Sequence, residues 1–321
     1  MHTSSLVRNI ARGKHGAHGH LARRLYYKFY HRFPYGFPQI AFPSTIELEL
    51  TNDCNMRCPH CPRSIMTRGV GYMEFATFKK IADEIADHSN CFLRIGGLGE
   101  PSLHPDIKAI LRYAKDLGII LEIVTNGQLL AVLTPEEVVG SGLRYLGISI
   151  DGFDAMTYAK RRPGGDYGSL QDRVAALWRH KQETKSPWPH IKIRHVVYPN
   201  DSPEQIEAYR QRWFAYADMV GFNKYTPTGT KAFTPPYRSC RFIKWEIKVN
   251  WNGETPLCRF QNNIRDEEIV GDASEQTIAE IWTNARMQEA RRAHAEGHLR
   301  TMEYCKACQK VQDPGDKTVW K

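Results

Sequence analysis

Seven of the eight cysteines in this 321-residue chain fall into two sets whose spacing can do chemistry. The first is Cys54-Asn55-Met56-Arg57-Cys58-Pro59-His60-Cys61, three thiols at C-x3-C-x2-C spacing after the alternating run TIELELT. Three thiolates on one loop can hold three irons of a [4Fe–4S] cluster and leave the fourth iron to a ligand the protein does not supply. A zinc knuckle would need a fourth Cys or His in tetrahedral reach, and His60, between two of the cysteines, is poorly placed for it. The second set is Cys240, Cys258, Cys305 and Cys308. Asn252-Gly253 lies between two alternating runs and signals a hairpin with Cys240 and Cys258 at either end. A helical pattern over 277–297 then leads to Cys305 and Cys308. Four cysteines spaced in this way can ligate zinc or a complete second cluster. Cys91 is left over; it opens a strand and is expected as a buried structural thiol at the amino-terminal rim, away from the chemistry.

From Thr45 onward, elements able to position these loops alternate regularly. Strand-like runs span 45–51, 92–97, 121–127, 145–152, 191–198 and 219–226, and helical patterns span 75–88, 105–118, 134–142, 169–181 and 202–217. Ser202-Pro203-Glu204 starts one helix and Gly118 ends another. Strands alternating with helices imply an α/β fold with a parallel sheet and right-handed crossovers. Six units are too few for a closed eight-fold barrel, so a partial (β/α)6 barrel is expected, followed by a small C-terminal hairpin-and-helix domain. The boundaries read as an arm over 1–44, a core over 45–230 and a cysteine-bearing domain over 231–321. In such folds chemistry gathers at the carboxyl ends of the strands.

Composition narrows the function classes. The chain is 41% hydrophobic and carries a net charge of +9. Residues 1–46 hold seven Lys/Arg and no acid, whereas the remainder has 37 basic against 35 acidic residues. The body therefore lacks the basic excess of a nucleic-acid binder. The arm, with His15, His18, His20 and the basic-aromatic LARRLYYKFYHRF, reads as a packing segment or as a contact to an anionic surface. No apolar run reaches the 18 residues of a membrane span and no secretory signal opens the chain, so a cytoplasmic location, where thiols stay reduced, is expected.

CNMRCPHC after a strand, then GGLGEP, TNG and SIDG at successive strand ends, resembles the radical S-adenosylmethionine (radical SAM) superfamily over about residues 45–310. The resemblance implies that SAM chelates the open iron of a [4Fe–4S] cluster on Cys54, Cys58 and Cys61. Reductive cleavage of SAM then yields a 5′-deoxyadenosyl radical that abstracts hydrogen from a substrate. Gly97, Gly99 and Glu100 match the motif that receives the SAM ammonium, although G-L-G-E-P departs from the tight triplet. Asn126, Ser149 and Asp151 match positions that bind ribose hydroxyls or the methionine carboxylate. Arg161 or Arg162 would pair with that carboxylate, with Arg161 taken as the site residue, and His60 would border adenine through its backbone. Gly253 to Cys258 resembles the start of a SPASM domain, and the abbreviated cysteine plan looks like a Twitch domain with one auxiliary [4Fe–4S] cluster on Cys240, Cys258, Cys305 and Cys308.

The plan resembles Twitch enzymes of the 2-deoxy-scyllo-inosamine dehydrogenase type. Related epimerases need a spare cysteine beside the substrate, and Cys91 is badly placed for that. Two-electron oxidation of a small polar substrate, a sugar or aminocyclitol alcohol, is therefore the favoured expectation, with the auxiliary cluster as electron acceptor. An external donor such as flavodoxin or ferredoxin is implied. Sugar epimerisation, peptide maturation and a non-enzymatic Fe–S or zinc scaffold are the rivals; residues 1–44 are too short and irregular for a leader-peptide domain. Arg194, His195, Asn223 and Lys224 sit on the late strands as candidates for substrate contact, and the sequence does not choose among them.

Overall fold

A computed structural model describes residues 40–88, 91–225, 240, 242–259, 269–296, 298 and 305. The basic arm before residue 40 and Cys308 lie outside the described residues.

Strands β1 (Thr45–Leu48), β2 (Phe92–Ile95), β3 (Ile120–Thr125), β4 (Tyr145–Ser149), β5 (His190–Val197) and β6 (Met219–Lys224) are joined by crossover helices. These are α1 (Phe75–Ala86), α2 (Ile107–Asp116), the short α3 (Leu129–Val132), α4 (Pro135–Gly140), α5 (Ala155–Arg161), α6 (Tyr167–Glu183) and α7 (Pro203–Phe214). All six strands pair in parallel, in the order β6-β5-β4-β3-β2-β1. Three of the helix starts, those of α4, α5 and α7, have a local cause in their caps. Thr134, Asp154 and Ser202 each accept the N–H three residues on, in reciprocal capping boxes. Gly118, at φ +68°, ends the turn after α2 in the left-handed region.

The two faces of the sheet differ. Ile46, Leu48, Leu93, Ile95, Leu121, Ile123, Leu146, Ile148, Ile191 and Ile193 point at the helices and are all buried. Burying such side chains contributes roughly 1.5–3 kcal/mol each. Residues one position along in the same register face the inside: Glu47, Arg94, Glu122, Gly147, Lys192, Arg194 and Gly221. There Arg94 reaches Glu122 at 2.9 Å, Glu246 at 3.6 Å and Glu47 at 3.7 Å, and Arg259 pairs with both Glu47 and Glu246. The core is thus one-sided, and the inner face is ionic.

Two sequence expectations change. The Asn252-Gly253 turn exists, with Gly253 at φ +87°, but its flanking strands do not pair as a hairpin. After the short helix α8 (Phe242–Trp245), β7 (Glu246–Val249) joins the main sheet as a seventh strand, parallel to β1. Its partner across the turn, β8 (Glu254–Pro256), pairs instead with β9 (Ile269–Asp272), antiparallel, to form the strand pair of the small C-terminal unit. The buried edge of β1 needs a partner for its backbone, and the apolar Ile247 and Val249 fit the continuous core better than a surface ribbon. The helical pattern over 277–297 is two helices, α9 (Ile278–Thr283) and α10 (Ala285–Ala295). The chain breaks at Asn284, whose side chain accepts from Met287 N–H and caps the second.

Candidate active site and its auxiliary cysteines

The loop from β1 to α1 carries the first cysteine set, and its own polar groups hold its shape. Asp53 Oδ1 accepts from Cys54 N–H at 2.8 Å, and Arg63 Nε donates to Asn52 O at 2.8 Å. Asn52, fully buried, donates to Gly69 O at 2.8 Å and accepts from Gly71 N–H at 3.0 Å, closing the loop onto itself. Cys54, Cys58 and Cys61 then line one cavity of about 500 Å³ with Gly97, Leu98, Gly99, Glu100, Asn126, Ser149 and Arg162. The cavity sits at the carboxyl ends of β1 to β4, where the fold rule places chemistry.

Gly99 is required by close approach. A Cβ there would lie 2.1 Å from Thr51 O and 2.6 Å from Asp53 O, because Glu100 N–H donates to Asp53 O at 2.7 Å. Gly97 adopts φ +123° over the buried Glu49. Glu100 is 1% exposed, and all its donors are uncharged: Ser102 N–H at 3.2 Å, Ser102 Oγ and Thr125 Oγ1 at 2.7 Å, and Asn126 N–H at 2.7 Å. Burial pushes its carboxyl up despite these bonds. Asn126 turns its amide to Asn55 Oδ1 at 2.8 Å and toward Cys54 Sγ at 3.8 Å. Burial also raises the Cys54 thiol, and pushes Cys58 up to about 11 although Arg162 opposes it.

The two arginines separate. Arg162 lines the cavity, and its Nε donates to Asp151 Oδ2 at 2.7 Å. Arg161 instead pairs with Asp201 and lies 4.2 Å over the Tyr198 ring. Asp151, fully buried, stands behind the cavity wall rather than in it. It takes Arg162, His60 Nε2 at 3.3 Å and Val196 N–H at 2.6 Å. Burial alone would raise its carboxyl, but those partners hold it well below the usual range. His60 adds Tyr198 Oη at 2.6 Å, so its imidazole spans two elements. Several contributors carry no motif. Pro163 O accepts Arg57 N–H at 3.0 Å, and a Cβ on Gly164 would meet Asn55 O at 2.6 Å. The Pro-Gly-Gly after Arg162 is a turn signal, and it was the one available hint of this close packing. Of the late-strand candidates, His195 is fully buried among Phe153, Tyr209 and Phe222, with Nδ1 on Ile150 O at 3.0 Å. Asn223 and Lys224 are exposed, and Arg194 lies on the inner face over Gly147. Cys91 is 4% exposed, with its thiol pushed up to about 12 by burial.

In the C-terminal unit, Cys240 N–H donates to His294 Nδ1 at 3.2 Å and Cys305 Sγ lies 3.5 Å from His294 Nε2. One buried histidine thus brings together two members of the second cysteine set.

Residues 48–212, just over half of the chain, match the model of the radical SAM superfamily. The chain belongs to the radical SAM superfamily. Residues 240–309 match a SPASM iron–sulfur cluster-binding domain, so this radical SAM protein carries an auxiliary iron–sulfur site beside the one that works with SAM. It is similar to the AdoMet-dependent heme synthase of Methanosarcina barkeri, 38% identical over 42% of this chain and 38% of that protein. It is 25% identical to a tungsten-containing aldehyde ferredoxin oxidoreductase cofactor-modifying protein of Pyrococcus furiosus, over 74% of this chain and 80% of that one. A PqqA peptide cyclase of Rhodopseudomonas palustris is 28% identical over 42% of this chain and 36% of its own. The chain thus spans little more than a third of the heme synthase and of the cyclase. Among solved structures, the fold matches BtrN in complex with AdoMet and 2-DOIA at TM-score 0.56 and 18% identity, covering 84% of this chain and 93% of that one. It matches Streptococcus suis SuiB bound to the precursor peptide SuiA at 0.63 and 16%, covering 79% and 68%.

The residues fit the cofactors. Three thiols share one cavity, and Met56 N–H donates to Cys54 Sγ at 3.4 Å, a bond that suits a ligating thiolate. Among the described residues the buried Glu100 carboxylate has no cationic partner, which suits an incoming ammonium. When bound, the cluster and SAM supply a 5′-deoxyadenosyl radical; the chain supplies the cradle.

Proposed function

We propose that this radical SAM protein oxidises a small hydroxylated substrate, a sugar or aminocyclitol alcohol, by two electrons. In that reaction the carbinol carbon gives a hydrogen atom to the 5′-deoxyadenosyl radical and the hydroxyl gives its proton to a base. A cluster held by the auxiliary cysteines would accept the second electron, and the alcohol would leave as a carbonyl compound. Within the cavity, Glu100 would receive the SAM ammonium and Arg162 its carboxylate, with Asp151 and His60 holding Arg162 in place. Reduced flavodoxin or ferredoxin would supply the starting electron in a cytoplasmic setting.

The observation that carries this reading is the ionic inner face beneath the cavity. Arg194 and Lys192 lie over Gly147 and Gly221, where side chains are missing, and burial pushes Lys192 down to about 8. Asn250, just after β7 on the same sheet, is fully buried, and neither of its amide atoms is hydrogen-bonded among the described residues. A buried amide such as that of Asn250 calls for a polar partner. A second reading, modification of a peptide, is favoured by the similarity to PqqA peptide cyclase.

The test uses anaerobically reconstituted, reduced protein with sugar and cyclitol alcohols deuterated at the carbinol carbon. Deuterium recovered in 5′-deoxyadenosine, in step with a new carbonyl product, supports the oxidation. Turnover that appears only when a peptide is supplied sinks it in favour of the second reading.

A further inference from the structure

His294 is 1% exposed on α10, held between two parts of the auxiliary cysteine set that are far apart in sequence. Its setting is rigid. Three residues earlier on the same helix, Arg291 donates through Nε to Ile243 O at 2.9 Å and through Nη1 to Trp282 O at 2.6 Å. The Arg291 guanidinium also lies 3.9 Å over the Trp282 ring. Asn284 caps the helix, and Ile281 and Trp282 are fully buried beneath it. The imidazole therefore has little freedom to choose partners.

The partners decide its tautomer. A backbone amide can only donate, so the bond from Cys240 N–H requires a bare lone pair on Nδ1. The ring proton must then sit on Nε2, which faces Cys305 Sγ at 3.5 Å. We infer that His294 is a positioning residue of the auxiliary site, donating an Nε2–H hydrogen bond to the Cys305 thiolate and raising the reduction potential of the cluster that Cys305 ligates. The physical reason is charge. Reduction adds an electron that is shared with the ligand sulfurs, and a fixed N–H dipole aimed at one of them stabilises the more negative state. An acceptor tuned upward in this way takes an electron from a substrate radical more readily. The inference rests on the auxiliary cluster and is independent of which substrate the protein oxidises.

The test uses the full-length chain with Cys54, Cys58 and Cys61 changed to Ala, so that only the auxiliary cluster is present. His294→Phe keeps the ring and removes the donor; His294→Gln places an amide N–H near the position of Nε2. Iron per chain is measured first, then the midpoint potential by redox titration followed by electron paramagnetic resonance. With iron retained, the Phe variant should be about tenfold harder to reduce, a shift of about 59 mV downward for a one-electron couple, while Gln stays near the parent. Retained iron with an unchanged potential overturns the inference. If Phe loses iron, pulsed resonance on parent protein labelled with 15N-histidine decides. A weak nitrogen coupling supports a hydrogen bond to sulfur. A strong coupling makes His294 a direct ligand, and no coupling removes it from the site; either result overturns the inference.

Discussion

Gly99→Ala should disable the SAM-binding cluster while sparing the auxiliary one. The added methyl would lie 2.1 Å from Thr51 O, 2.6 Å from Asp53 O and 2.7 Å from Thr51 C. Ordinary contact begins near 3.4 Å, so the backbone must shift by more than 1 Å. Thr51 cannot yield easily: its hydroxyl donates to Gly71 O at 2.7 Å and accepts from Asp53 N–H at 3.0 Å. The displacement therefore falls on residues 52–54, breaking the Glu100 N–H to Asp53 O bond and moving Cys54, whose N–H rests on Asp53. Overpacking costs roughly 1–3 kcal/mol, and the clash is with backbone, so the upper figure applies. In a protein of this size that lowers the melting temperature by about 5 °C. After anaerobic reconstitution, iron should fall from about eight to about four per chain, and SAM binding by equilibrium dialysis should weaken at least tenfold. Gly140→Ala is the control. Nothing lies within 4 Å of its added methyl, and at the last position of α4 the change should leave stability and both clusters near the parent. A Gly99→Ala protein with full iron and parental SAM affinity would refute the reasoning.

Two further outcomes follow from the same geometry. Arg162→Met should weaken SAM binding by tenfold or more in equilibrium dialysis, whereas Arg161→Met should chiefly lower thermal stability, since Arg161 engages Asp201 and Tyr198; equal effects on SAM would contradict this division. Asp218→Asn should cost about 3 kcal/mol in denaturant unfolding at neutral pH, the low end for breaking a buried pair, because it leaves the 4%-exposed Lys181 without its carboxylate. Burial alone would raise the Asp218 carboxyl, but His190, Lys181 and the Ile191 N–H hold it down to about 2. A depressed carboxyl stabilises the fold fully above its unfolded value, so the difference between parent and variant should persist at pH 5. It should shrink as the pH falls from about 4 toward 2; a constant difference across that range would show that the ion pair is not its source.

Much of the fold was legible because it rests on local signals. Every expected strand of the core is present, with ends trimmed by a few residues, since alternation marks a strand's interior better than its last paired residue. The start of α7 followed its Ser202 cap, whereas α3 and α5 carried no periodicity long enough to mark them. The strand after α8 was not legible as part of the main sheet. An Asn-Gly turn reports only that the chain reverses, while the choice of partner for β7 depends on the open edge of β1, nearly 200 residues earlier. The broken helix over 277–297 has the same origin: its periodicity runs on, but Asn284 caps where α9 meets the body.

The cysteine spacing, the Gly-Glu-Pro turn and the strand-end Asn126 and Ser149 were sufficient to place this chain among radical SAM proteins, because metal ligation and close backbone approach demand particular residue types at short, fixed separations. Only the tertiary structure put Arg162 rather than Arg161 in the cavity wall, left Asp151 behind that wall, and set His294 between Cys240 and Cys305. Adjacent residues on a helix point in different directions, and which direction meets a buried charge is determined by the elements packed around it. A lone histidine in RRAHAEG carries no spacing to mark it; its role arises from the one face of α10 that folding turns toward the cysteines.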